Sequence, residues 1–190
     1  MSVREKIAAS IAAAVLALVP FTARAANGII DEMKLGILDH DVPIGGDHKE
    51  CCVDVNGEVL FTSPSFLDWF WAPRPNLGVT INTEGKNSYG YFGLAWTGDF
   101  LRNSFHPSDS FFWELGLGGA VHTGPNEASP TTRDHKGLGS RILFHEELDL
   151  GYRFTWRSNV SLFLDHISDA NLTEHNPGLT NLGVRFGFRF

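Results

Sequence analysis

Beyond its first 25 residues the chain has no run approaching 18 consecutive apolar residues, so no membrane-spanning helix is expected. Cysteine is nearly missing. The two present, Cys51 and Cys52, are neighbours. A disulfide framework needs partners apart in sequence but close in space, and a cysteine zinc site needs a second pair, so neither is expected. The adjacent pair either closes a small ring or stays reduced, and no function is assigned to it. Positive charge is also scarce: 15 Lys and Arg stand against 22 Asp and Glu, a formal net charge of −7. That argues against nucleic acid as a partner. His40, His48, His106, His122, His135 and His175 are scattered through expected loops and strand ends. None makes a ligand pair on a well-defined element, so no metal or other cofactor is expected.

What is present begins with an export signal. Arg4 and Lys6 precede an apolar stretch from Ile7 to Phe21, and Ala23-Arg24-Ala25 has the small residues of a cleavage box. Residues 1–25 therefore read as a signal peptide and residues 26–190 as one domain. Losing Arg4, Glu5, Lys6 and Arg24 takes the net charge to about −9. The chain as a whole is rich in Phe (15), Trp (5) and Gly (20), with only 19% charged residues, a composition suited to short strands and turns.

Eight segments alternate with the period of a strand. They run over about 31–39, 55–63, 76–83, 88–99, 111–121, 139–154, 159–168 and 180–190, with no convincing helix between them. The fifth sets Phe111, Trp113, Leu115, Leu117 and Val121 against Phe112, Glu114, Gly116, Gly118 and His122. The eighth sets Leu182, Val184, Phe186 and Phe188 against Asn181, Gly183, Arg185 and Gly187. In the late segments one face is large and apolar, the other small, polar or charged. Glu114, Arg141, Glu147, Asp149, Arg153, Arg185 and Arg189 share faces with glycines, which suggests ion pairs in a tight polar lumen. The apolar band then faces lipid, with Trp69, Trp71, Trp96, Trp113 and Tyr152 as its interfacial girdle. The fold class is all-β, an eight-stranded antiparallel transmembrane β-barrel of the outer membrane. Its lumen is filled by side chains, so it is not a pore. The other reading is a soluble secreted lipid-binding barrel, in which the apolar face would turn inward.

The seventh segment carries the candidate chemistry. His166 and Ser168 are two residues apart on a strand, so both side chains lie on one face, the one bearing Leu162 and Leu164. An imidazole beside a hydroxyl is the minimal arrangement for activating a serine. Around it stand His166-Ile167-Ser168-Asp169-Ala170-Asn171 and Asn176-Pro177-Gly178-Leu179, followed by the final strand Gly183 to Phe190. In these stretches the chain resembles the lipid A 3-O-deacylase family, the PagL-like acyloxyacyl hydrolases of the outer membrane.

That resemblance implies an eight-stranded barrel with a Ser-His-Glu triad that hydrolyses the 3-O-linked acyl chain of lipid A in lipopolysaccharide. By position Ser168 is the nucleophile, His166 the general base and Asn176 a contributor to the oxyanion hole. Two positions depart from the family pattern. Asp169 stands where the family has Asn, and Thr180 stands where it has the triad acid. A threonine cannot stabilise an imidazolium by charge, though its hydroxyl can orient the ring. With a tight turn near Trp156–Arg157, antiparallel pairing brings Glu146 level with His166 on the lipid side. Glu146 is the candidate replacement acid, with Glu174 and Asp169 behind it; the alternative role for Glu146 is that of a rim residue in the headgroup zone. The readings are thus an outer-membrane serine esterase or a non-catalytic barrel of the same family that has lost its acid.

Overall fold

The structure, a computed structural model, describes residues 28–44, 48–127, 135–173 and 177–190. The signal-peptide reading of residues 1–25 and the proposed roles of Glu174 and Asn176 lie outside the described residues. Eight strands follow in chain order: β1 (Ile30–Asp39), β2 (Val53–Phe61), β3 (Arg74–Asn82), β4 (Tyr89–Phe100), β5 (Ser110–His122), β6 (Ile142–Arg153), β7 (Ser158–Ser168) and β8 (Leu179–Arg189). Each pairs antiparallel with the next, and β8 closes on β1 from Glu32↔Arg189 to Asp39↔Leu182. Closure leaves no sheet edge to satisfy, which is what lets strands cross a bilayer.

The alternation decides which solvent surrounds the barrel. Leu77, Ile81, Phe92, Leu162 and Val184 point outward and are more than half exposed, while Glu32, Lys34, Glu114, Asp149 and Arg185 point inward and are buried. A soluble barrel would reverse these faces. Exposing this belt to water would forfeit about 25 cal/mol for every Å² of apolar surface. The outer face therefore belongs against lipid, and the soluble lipid-binding barrel is set aside.

An even strand number puts both ends of the barrel chain at one rim. That rim also carries the β2–β3 connection, where no helix was expected. Ser65–Phe70 forms a short 3-10 helix there, tied to the wall by Trp96, whose Nε1 donates to the Phe70 carbonyl at 3.0 Å. Trp69 and Trp71 stand out from it, exposed, as interfacial aromatics do.

The lumen is filled by charge. Arg185 reaches Glu58 at 2.5 Å and pairs with Asp149, and Glu114 and Glu147 lie within 4.0 Å. Lys34 pairs with Asp149 at 2.8 Å and with Glu114. Arg185 also stacks on the Phe163 ring. One expected lumen member is misplaced. Arg141 precedes β6 rather than lying in it, is exposed, and donates to the carbonyls of His122 and Gly124. Arg189 sits half-buried at the rim, on Glu32. Removing one member of such a network strands the others. Arg185→Leu is expected to lower the unfolding free energy by about 3 to 5 kcal/mol. Urea unfolding in micelles followed by tryptophan fluorescence measures it. A loss under about 1 kcal/mol would mean the lumen tolerates the stranded carboxylates.

Candidate active site

His166 and Ser168 end β7 at the rim opposite the start of β1 and the end of β8. Both are half-buried and face outward, above Leu162 and Leu164. The register flanks His166 on both sides, with Glu146 of β6 and Thr180 of β8 each its direct partner. The short connection after Arg153 fixes the pairing with Glu146, as the sequence suggested. The two neighbours are not equivalent. Glu146 stands outward and exposed. Thr180 is buried, and its Oγ1 lies 2.7 Å from His166 Nδ1.

That contact has a direction. Thr180 Oγ1 donates its single proton to the Ile44 carbonyl at 2.9 Å, because a carbonyl can only accept. Toward His166 the hydroxyl is therefore an acceptor, and Nδ1 carries the ring proton. Nε2 is left with its lone pair, the form a general base requires. Gly178 follows the same logic of fit. Its φ is +64°, a conformation suited to glycine, and a Cβ there would lie 2.6 Å from His166 Cε1 and 3.1 Å from Nε2. No larger residue passes so close over the ring. Asp169 is buried, and its Oδ2 accepts from the backbone N–H of Thr173 at 3.0 Å and from the Thr173 hydroxyl. It shapes the turn that follows Ser168.

Ile44 belongs to the β1–β2 connection, which folds across the barrel mouth. Val42 N donates to the Thr180 carbonyl at 2.8 Å. Beneath it Asp41, Lys136, Glu50 and His40 form a buried polar layer. Cys51 and Cys52 are bridged to each other in this connection. His40 lies just past β1, between Asp54 at 2.7 Å and Glu50 at 2.8 Å. Burial pushes the imidazole down, but these two hydrogen bonds outweigh it and lift the pKa to about 9. A pKa raised above its unfolded value gives stability that is full below about pH 6.5 and is lost as pH rises through about 9. The temperature at which the folded barrel converts to the slower-migrating form on gels is expected to fall across that window. In His40→Gln the fall is expected to flatten; an unchanged slope would exclude His40 as its cause.

Sequence reasoning brought together His166, Ser168, Glu146 and Thr180. It missed Ile44, which acts through its backbone, and Gly178 as a packing position. The glycine itself, following Pro177, is the one signal the sequence carries for it.

The fold and this site define a class: an outer-membrane β-barrel with a His–Ser pair on its lipid-facing wall. The family model for lipid A 3-O-deacylase (PagL) matches residues 62–189. A curated relative, "Lipid A deacylase PagL" of Bordetella bronchiseptica, is 28% identical over 117 residues, which cover 61% of this chain and 61% of that protein. Among solved structures, the crystal structure of the outer membrane enzyme PagL superposes with a TM-score of 0.60 at 15% identity. That match covers 84% of this chain and 99% of the other. The chain belongs to the lipid A 3-O-deacylase (PagL) family.

Proposed function

We propose that this protein is a serine esterase of the outer membrane that hydrolyses the 3-O-linked acyl chain of lipid A. The observation that carries the reading is the hydrogen-bond chain from His166 Nδ1 through Thr180 Oγ1 to the Ile44 carbonyl, which leaves Nε2 a proton acceptor. Ser168 lies two residues along the same strand face, roughly 7 Å of backbone rise away, a gap two side chains can close. With residues 1–25 as export signal and both barrel ends at the periplasmic rim, the site opens at the cell surface. Lipid A of the outer leaflet presents its ester there, with acyl chains beside the apolar wall.

In this mechanism Ser168 Oγ attacks the ester carbonyl while His166 Nε2 takes its proton. The imidazolium then returns the proton to the departing sugar oxygen, leaving an acyl-enzyme that water hydrolyses by the same route. Backbone N–H groups, or Asn176 as the family resemblance implies, hold the oxyanion. Thr180 keeps the ring in the working tautomer but adds no charge. Glu146 supplies a negative charge from across the strand pair. No metal or other cofactor enters any step.

Thr180 also favours the second reading, a barrel that keeps the family fold without turnover. Covalent trapping separates the two. A long-chain alkyl fluorophosphonate is expected to add its mass to Ser168 in the intact protein, and not in His166→Ala. An unlabelled Ser168 in a folded barrel would support the non-catalytic reading.

A further inference from the structure

The outer mouth holds a buried residue that the mechanism does not use. Asp41 adopts a left-handed backbone, φ 55°, which a buried residue keeps only when its surroundings fix it. Every polar group it has is committed. Its N–H donates to Asn181 Oδ1 at 2.9 Å. Its Oδ2 accepts from the backbone N–H groups of Lys49 at 2.7 Å and Glu50 at 2.9 Å. Its Oδ1 accepts from Lys136 Nζ at 2.5 Å. Its carbonyl accepts from His48 Nδ1. It thus ties together the β1–β2 connection, the β5–β6 connection and the start of β8.

Asn181, its β8 partner, follows Thr180 directly and is fixed from the other side, its Nδ2 donating to Tyr89 Oη at 2.7 Å. The next residue after Asp41, Val42, bonds the Thr180 carbonyl, and Ile44 takes the Thr180 hydroxyl proton. The stretch 41–44 therefore grips residues 180 and 181 from both faces of β8.

We infer that Asp41 is a positioning residue: it holds the β1–β2 connection so that the Ile44 carbonyl meets Thr180, and thereby selects the His166 tautomer that Ser168 needs. The inference rests on the esterase reading for its consequence in turnover, though not for its geometry. A hydroxyl is a rotor that donates or accepts. With Ile44 in place, Thr180 can only accept from Nδ1. With the connection displaced, the same hydroxyl turns and donates to Nδ1, the ring proton moves to Nε2, and the base is lost. A carboxylate at position 180 has no proton to donate, so it would fix the tautomer whatever the loop does. The dependence on Asp41 is thus a consequence of having Thr at 180.

The test is a double-mutant design in detergent micelles, with folding confirmed by the heat-dependent gel shift. Asp41→Asn and, separately, Lys136→Met are each placed in the natural chain and in Thr180→Glu. Turnover is read on a medium-chain 4-nitrophenyl ester. In the natural chain each substitution is expected to lower kcat five- to tenfold with KM unchanged. In the Thr180→Glu chain the loss is expected to be under twofold. Equal losses in both chains, or none in the natural one, would overturn the inference.

A second readout needs no turnover, and its only variant, His166→Gln, serves to assign the signal. In uniformly ¹⁵N-histidine-labelled natural protein, the His166 signal, identified by its loss in His166→Gln, is expected to show a protonated Nδ1 and an unprotonated Nε2. The opposite tautomer would overturn the inference. The expected tautomer in a protein that turns over no ester leaves the positioning standing and sinks the esterase reading instead.

Discussion

Ser168→Ala is expected to cut ester turnover by at least about a thousandfold, down to the rate of the surrounding micelle. In serine hydrolases with a complete triad, losing the nucleophile costs roughly a millionfold. The figure here is smaller because the starting point is lower. Thr180 gives His166 no charge to lean on when it becomes an imidazolium. Replacing a triad acid by its amide costs roughly ten-thousandfold, largely because the amide leaves the ring in the wrong tautomer. Here the tautomer is right, since the hydroxyl proton goes to Ile44. On the proposed esterase reading only the charge is missing, so a measurable rate is expected in the natural chain. Initial rates on a 4-nitrophenyl ester check this, with His166→Ala expected to match Ser168→Ala. A Ser168→Ala protein within tenfold of the natural rate would show that the hydroxyl is not the nucleophile.

Thr180→Glu is expected to raise kcat by about ten- to a hundredfold at neutral pH, an unusual direction for a substitution at a buried site. Opposed residues on paired strands hold their Cβ atoms about 5 Å apart, so a carboxylate at 180 still reaches His166 Nδ1. It adds the attraction that the imidazolium otherwise lacks. The buried position must accept a longer side chain, and the bond to Ile44 is given up, so stability is expected to fall while turnover rises. Thr180→Val supplies the control. It keeps the volume but offers Nδ1 no acceptor, and kcat is expected to drop below that of the natural chain. If the glutamate is no faster and the valine no slower, position 180 does not act through His166.

These expectations depend on contacts that the sequence revealed unevenly. The strands were legible because lipid outside and charge inside enforce a strict period of two, as in Phe111 to Val121. The pairing of Glu146 with His166 followed from one short turn, since register propagates along antiparallel strands, while Thr180 was singled out by the position of the family's acid. Arg141 was misread because the pattern extends past the place where hydrogen bonding begins, at Ile142. The same parity places Glu32 and Lys34 inward on β1, where the eye follows Met33, Leu35 and Ile37 instead. Nothing in the sequence announces that the Ile44 carbonyl, far away in the chain, completes the site. Backbone groups carry no residue code, and loops are positioned by distant partners such as Asp41 with Lys136 and Asn181.

The most direct test is mass spectrometry of lipid A from cells that carry a 3-O-linked hydroxyacyl chain. One culture makes the natural protein and one makes Ser168→Ala, each shown folded in the outer membrane. Loss of the mass of one hydroxyacyl chain in the first culture only is the expected result. Identical lipid A in both would contradict the account and leave a barrel of the family that no longer cuts its lipid.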